Sequence, residues 1–280
     1  MKGFFTNKEV TPTKKVRGVS IDPCEDCKLY KSAKSPKMEY TGKGKQKVLI
    51  VGEAPGAEED EQWERKGYKE PTQFIGKSGL LLRDELDKYK LSLEQDFWKT
   101  NALCCRPPKN RKPTKKELSL CKHRLTKTIE ELRPKMIWLV GGTAIESFYM
   151  NRFKTLTINR WQGLCIPDKI ANAWIAPMFH PSYILRLKDP GLSAMFARGI
   201  KNAVSWMGKE HPTFEDYESQ VECVTDFHRA IELLTIVLNE ATEIAFDYET
   251  SGLKPYKAGH KIWSVAICSD VTTCFSIPLD

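Results

Sequence analysis

The 280-residue sequence contains no apolar run near the roughly 18 residues that a membrane-spanning helix needs. Its opening, MKGFFTNKEV, lacks the apolar stretch and cleavage site of a secretory signal. Internal repeats and long low-complexity tracts are missing too. These absences argue against a membrane or secreted protein and lead us to expect a cytoplasmic one. Basic residues are scarce in one region: positions 210–280 hold 4 Lys and Arg against 13 Asp and Glu. The other 209 positions hold 40 against 23, out of chain totals of 44 and 36. Opposite balances of −9 and +17 predict two units with different jobs. The basic one suits a polyanion, of which nucleic acid is the common case.

A hydrophobic content of 41% with 29% charged residues describes a globular chain. KVLIVG (47–52), MIWLVGG (136–142) and AWIAPMF (173–179) read as buried strands feeding loops. SGLLLRDELDKYKL reads as a helix, and Thr114 with Glu117 forms a capping box that predicts another. The apolar stripe of that second helix is Leu118, Cys121, Leu125, Ile129 and Leu132. Strands alternating with helices predict an α/β fold, a three-layer sandwich with a short, largely parallel central sheet. Loops at the strand C-termini, beginning at Gly52, Gly141 and His180, then build the site. The expected organisation is one domain over 1–206, a polar linker over 207–222 and a second α/β unit over 223–280.

Nine cysteines in a cytoplasmic chain point to thiols, a metal or a cluster before a disulfide framework. Cys24 and Cys27 form a C-x2-C pair in a polar region, and Cys105 and Cys121 enclose 15 residues. Four thiolates suit a tetrahedral zinc or a [4Fe–4S] cluster, and spacing does not choose between them. Cys165, Cys223, Cys268 and Cys274 read as packing residues, and an extended segment turns Cys104 away from Cys105.

Six pieces occur in order: C-x2-C, VGEAPGAEED (51–60), FIGKSGLLL (74–82), NALCCRPPKNRKPT (101–114), Cys121 and HPSYILR (180–186). Together they resemble the family-4, iron–sulfur uracil-DNA glycosylases over roughly residues 20–205. The resemblance implies a [4Fe–4S] cluster on Cys24, Cys27, Cys105 and Cys121. That cluster would pin a loop whose Arg106, Lys109, Arg111 and Lys112 meet DNA phosphates. It also implies that Phe74 stacks on a flipped or single-stranded uracil and that Asn101 reads its edge. An oriented amide accepts from N3–H and donates to O4, a pattern that cytosine inverts. His180 is implied as the donor to uracil O2, where charge develops, with backbone N–H groups around Ala54 assisting. Glu53 is implied as the main supporting carboxylate, and Glu59 as the residue bordering uracil C5 to exclude thymine. The chain departs from the family by an inserted EQWERKGYKEPTQ, with Gln73 where Pro is usual.

In the second unit, AFDYETSGLKPY places Asp247 and Glu249 on one face of a strand, as a Mg²⁺ site requires. This stretch and the following IWSVAICSDVTTCFSIPL resemble the start of a DnaQ-like 3′–5′ exonuclease domain of family-A DNA polymerases, a truncated RNase H-like α/β unit. The carboxylates that complete two-metal chemistry do not follow, so no exonuclease activity is expected from this chain alone. The expected function is uracil excision from DNA in association with a phage-type polymerase, in the host cytoplasm. The partners expected are DNA and the remaining exonuclease–polymerase part or other replication proteins, with no membrane. The alternative is a catalytically weak DNA-binding or uracil-sensing module of a polymerase.

Overall fold

A computed structural model describes residues 22–153, 157–213, 221–252, 258–272 and 274–279. The chain divides into two compact units, Met1–Pro212 and Thr213–Asp280. The opening decapeptide, residues 214–220 of the expected linker and residues 253–257 of the second-unit motif lie outside the described residues.

The first unit is built on five strands: β1 (Val48–Gly52), β2 (Phe97–Asn101), β3 (Met136–Val140), β4 (Ile166–Asp168) and β5 (Ala173–Met178). Their order is β2-β1-β3-β5-β4. The first four in that order are parallel, and β4 pairs antiparallel with β5. Helices α1 (Pro23–Cys27), α2 (Ala57–Glu61), α3 (Lys77–Asp87) and α4 (Lys115–Leu132) occupy its first half. Helices α5 (Gly142–Tyr149), α6 (Ile158–Trp161), α7 (Pro181–Leu187) and α8 (Pro190–Trp206) follow.

A parallel sheet covered on both faces needs strands that are apolar throughout, and every residue of β1, β3 and β5 is buried. One face packs Ile50, Phe97, Trp138 and Met178 against Leu82 and Leu86 of α3 and Phe196 and Ile200 of α8. The other packs Leu49, Val51, Ile137 and Leu139 against Leu125 of α4 and Ile145 and Phe148 of α5. Two helical layers around one sheet make the three-layer α/β architecture. The α4 capping box forms in both directions: Glu117 N–H donates to Thr114 Oγ1 (3.2 Å), and Thr114 N–H donates to Glu117 Oε2 (2.8 Å).

β2 is absent from the sequence expectations. Its FWKTN runs from two aromatics into three polar residues, and Lys99 with Thr100 and Asn101 disguises a buried strand. Beyond Asn101 the chain bends instead of extending, so Cys104 and Cys105 line the same cavity, contrary to the expected divergence.

The second unit has β6 (Glu222–Cys223), α9 (Phe227–Glu240), β7 (Ile244–Thr250), β8 (Ile262–Ser269) and β9 (Phe275–Pro278). The sheet order is β6-β9-β8-β7, with antiparallel β7–β8–β9 and β6 parallel to β9. Glu222 is therefore a strand residue and not linker. Val224, Ala230, Leu233, Val237 and Phe275 form a small core. The packing role expected for three cysteines is corrected here. Cys268 and Cys274 form a disulfide across the β8–β9 hairpin, which brings their Cα atoms to 4.2 Å, and Cys223 is exposed.

Candidate active site and thiol cage

The C-terminal ends of β1, β2, β3 and β5 open on a cleft lined by Glu53, Ala54, Phe74, Asn101, Thr143, His180, Ser182 and Arg186. Gly52 closes β1 where space is short. A Cβ there would lie 2.3 Å from Asn101 Oδ1 and 2.9 Å from Phe74 Cζ, so only glycine lets both side chains meet the turn. The register pairs Gly52 with Asn101 directly. Asn101 is buried, and its Nδ2 has no hydrogen-bond partner among the described residues. A buried unmade donor costs about 1–3 kcal/mol.

His180 follows β5 and caps α7. Its Nδ1 accepts from Ser182 N–H (3.1 Å) and lies 2.7 Å from Ser182 Oγ. With Nδ1 accepting, the neutral ring carries its proton on Nε2. Burial holds the His180 pKa down to about 4, against the opposing pull of Glu53. The residue is thus a neutral donor across the physiological range. Its ring lies 6.4 Å from that of Phe74 at an interplanar angle of 27°. Gly141 makes room beside it: φ is 96°, and a Cβ would come within 3.1 Å of His180 Cβ.

Glu53 is half-buried and oriented by Thr143, whose Oγ1 donates to Glu53 Oε2 (2.6 Å). Nothing in the spacing of the sequence pointed to Thr143 or Ser182. Thr143 reaches Glu53 only when the β1 and β3 loops converge, whereas Ser182 acts on His180 within the same turn. Glu59 turns its carboxylate to the backbone: Oε2 accepts from Gly56 N–H (2.6 Å) and Oε1 from Phe74 N–H. Burial raises its pKa despite those donors. This geometry makes Glu59 a clamp between the GEAPG turn and the Phe74 loop. Gln73, in the family's proline position, is buried between Thr41 Oγ1 (2.7 Å) and the Glu39 carbonyl (2.6 Å).

The thiols gather on the other side of the NALCCRPP segment. Cys24, Cys27, Cys104, Cys105 and Cys121 surround a small cavity of about 20 Å³ with Leu29, Leu103, Leu120 and Arg124. Lys37 N–H donates to Cys105 Sγ (3.1 Å), the kind of contact that steadies a thiolate ligand. Burial pushes the free Cys105 thiol up to about 11, and Cys121 is raised by Cys104 and by burial. A tetrahedral zinc with Zn–S bonds of about 2.3 Å would hold its sulfurs roughly 3.8 Å apart. Among the described residues the one set of three ligand atoms mutually within 4.8 Å is Asp22, Cys24 and His123, not a set of thiols. The thiols that line the cavity are soft enough for an iron–sulfur group.

Of the expected phosphate-binding residues, Arg106 pairs with Glu61 and Asp60. Arg111 makes a two-pronged pair with Glu117 (2.9 and 2.5 Å). Lys109 and Lys112 are exposed and have no ion pair among the described residues. Asp247 and Glu249 are exposed on β7 and join no third ligand among the described residues.

Comparison with known proteins agrees with this geometry. Residues 39–205 match the profile of the uracil DNA glycosylase superfamily. The type-4 uracil-DNA glycosylase of Archaeoglobus fulgidus is 34% identical over 204 residues, covering 70% of this chain and 94% of the relative. The type-4 enzyme of Thermotoga maritima is 35% identical over 164 residues, 59% of this chain and 79% of the relative. That of Pyrobaculum aerophilum is 32% identical, with coverages of 64% and 87%. The chain belongs to the type-4 uracil-DNA glycosylases of the uracil-DNA glycosylase superfamily.

Proposed function

We propose that the chain hydrolyses the N-glycosidic bond of uracil in DNA. The observation that carries this reading is the buried, unpartnered Nδ2 of Asn101 in a cleft shared with Phe74 and His180. Uracil O4 supplies the missing acceptor, and N3–H meets Asn101 Oδ1. Phe74 provides the stacking face. As the glycosidic bond lengthens, negative charge grows on uracil O2, where the His180 Nε2–H donates without giving up its proton. Backbone N–H groups at Ala54 assist there. Glu53, held by Thr143, keeps a carboxylate oxygen for the cationic sugar or the attacking water. Glu59 acts through the Phe74 backbone, which fixes how close a C5 substituent can come.

Cys24, Cys27, Cys105 and Cys121 would hold a [4Fe–4S] cluster that pins the 105–121 loop and plays no part in bond cleavage. Lys109 and Lys112 then meet phosphates, while Arg106 and Arg111 brace the loop from within. The test is incubation of anaerobically purified protein with a single-stranded oligonucleotide bearing one uracil. Free uracil and an alkali-labile strand support the reading. An intact strand bound by folded protein refutes it and leaves the DNA-holding module.

For the second unit we propose an RNase H-like nuclease fold associated with a DNA polymerase, working in the cytoplasm where the DNA is replicated. The support is the antiparallel β7–β8–β9 sheet with Asp247 and Glu249 on β7. Among the described residues the two carboxylates gather no third ligand, so they bind Mg²⁺ weakly and without the further carboxylates of two-metal hydrolysis. A Mg²⁺ titration that leaves labelled single strands undegraded fits this assignment, and 3′-end degradation contradicts it.

A further inference from the structure

Phe74 adopts a left-handed backbone conformation, with φ 60°, that a residue with a Cβ takes only when its surroundings impose it. Three contacts impose it. Glu59 accepts from its N–H, and Arg83 Nη1 donates to its carbonyl (2.7 Å). The first turn of α3 presses on that same carbonyl: a Cβ at Gly79 would lie 1.6 Å from Phe74 O. Gly79 and Arg83 stand four apart on α3, so one helix face supplies two of the three restraints.

Arg83 has two further partners. Its Nη2 donates to Tyr68 Oη (3.1 Å) and to Glu94 Oε1. Glu94 also faces the buried Lys99 ammonium at 3.6 Å. Lys99 precedes Asn101 by two residues on β2 and so shares its strand face. Tyr68 belongs to the insertion that distinguishes this chain from the family pattern. Lys66 of the same insertion donates to the Ile75 carbonyl (3.0 Å). The insertion therefore braces the Phe74 loop.

We propose that Arg83 is a positioning residue for base recognition: through the Phe74 carbonyl, Tyr68 and the Glu94–Lys99 pair it sets the stacking ring relative to Asn101. The proposal rests on the uracil reading above. Arg83 touches no base. It fixes the backbone that carries the ring, and the insertion supplies part of the frame.

A double-mutant cycle on the full chain tests this. Arg83→Ala, Phe74→Ala and the double variant are compared in single-turnover uracil release, with thermal unfolding followed for each. Arg83→Ala is expected to lower kcat/KM about 10-fold, mainly through KM, as befits lost ground-state positioning. In the Phe74→Ala background the same change should cost less than about twofold, because the route through the ring is gone. Arg83→Lys should recover part of the loss by restoring one donor to the Phe74 carbonyl. Equal losses in both backgrounds, or unchanged kinetics in Arg83→Ala, would overturn the proposal. If the wild type releases no uracil, the uracil reading fails by itself. The cycle is then read as affinity for the uracil oligonucleotide by anisotropy, with non-additivity again expected and additivity again contradictory.

Discussion

β1 and β7 both carry acidic residues at or just beyond their ends, yet they sit in opposite surroundings. All five residues of β1 are buried beneath helices on both faces, and the chain leaves them at Gly52 to present Glu53 in a walled cleft. Six of the seven residues of β7 are exposed, including Ile244, Phe246 and Tyr248, and Asp247 and Glu249 stand in the open. A carboxylate gains a chemical role from what surrounds it. Glu53 has Thr143 to orient it and His180 opposite, whereas among the described residues Asp247 and Glu249 gather no third ligand. The first unit thus gathers its polar side chains in a walled cleft, and the second leaves its two acids exposed on a strand.

The comparison can be broken most severely at the thiol cage. Cys105→Ser should abolish the visible thiolate-to-iron absorbance of the purified protein and lower its Tm markedly, because the bound group stabilises the loop it ties. Cys104→Ser, lining the same cavity outside the proposed ligand set, should keep the absorbance. Loss of colour in both variants would reassign the ligands.

A large effect is also expected in the cleft. His180→Ala should lower kcat about 100- to 1,000-fold with folding intact, the cost of removing a donor at developing charge. Rapid-quench measurement of uracil release checks it. A loss under about tenfold would place the donor elsewhere.

The pH dependence follows from the depressed His180 pKa. The folded ring stays neutral down to about 4, while the unfolded chain takes up this proton near the ordinary 6.5. Between those values the unfolded state binds more protons, so the His180 contribution to stability is present above about 6.5 and is lost as pH falls toward 4. Uracil release limited by this residue should be level from pH 8 to about 5 and fall near pH 4. A midpoint near 6.5 would show that the ring is solvated and not held neutral.

The smallest effect sharpens the contrast between the strands. Phe97→Ala, in the core of the first unit, should cost about 3–5 kcal/mol by urea denaturation. Phe246→Ser, on exposed β7, should change stability by no more than about 0.5 kcal/mol. Comparable losses would mean that β7 is covered in solution.

Much of this was legible in the sequence because it was local. Apolar runs at 48–52, 136–140 and 173–178 are strands, and Thr114-x-x-Glu117 starts its helix where the capping box places it. The GEAPG, NALCC and HPSY pieces stand at strand C-termini because a parallel sheet gathers such ends. What escaped depended on pairing at a distance. β2 hid behind Lys99, whose charge is tolerated in the interior because Glu94 faces it. Glu59 reads as a residue bordering the base, and the two backbone donors to its oxygens become visible only when the GEAPG turn meets the Phe74 loop. Arg106 and Arg111 read as free cations because Glu61 and Glu117 become their partners only in the folded loop. The Cys268–Cys274 bridge was missed because a six-residue separation says nothing of a hairpin until the strands pair.

The central claim is that the first unit alone carries the reaction. Its most direct test is free uracil measured by chromatography after one turnover on a uracil oligonucleotide, for the wild type, Asn101→Ala and Asp247→Ala/Glu249→Ala in the full chain. Equal release by the wild type and the β7 double variant is expected, with a loss of about 100-fold or more in Asn101→Ala. No release by the wild type, or release that depends on the β7 acids, would contradict it.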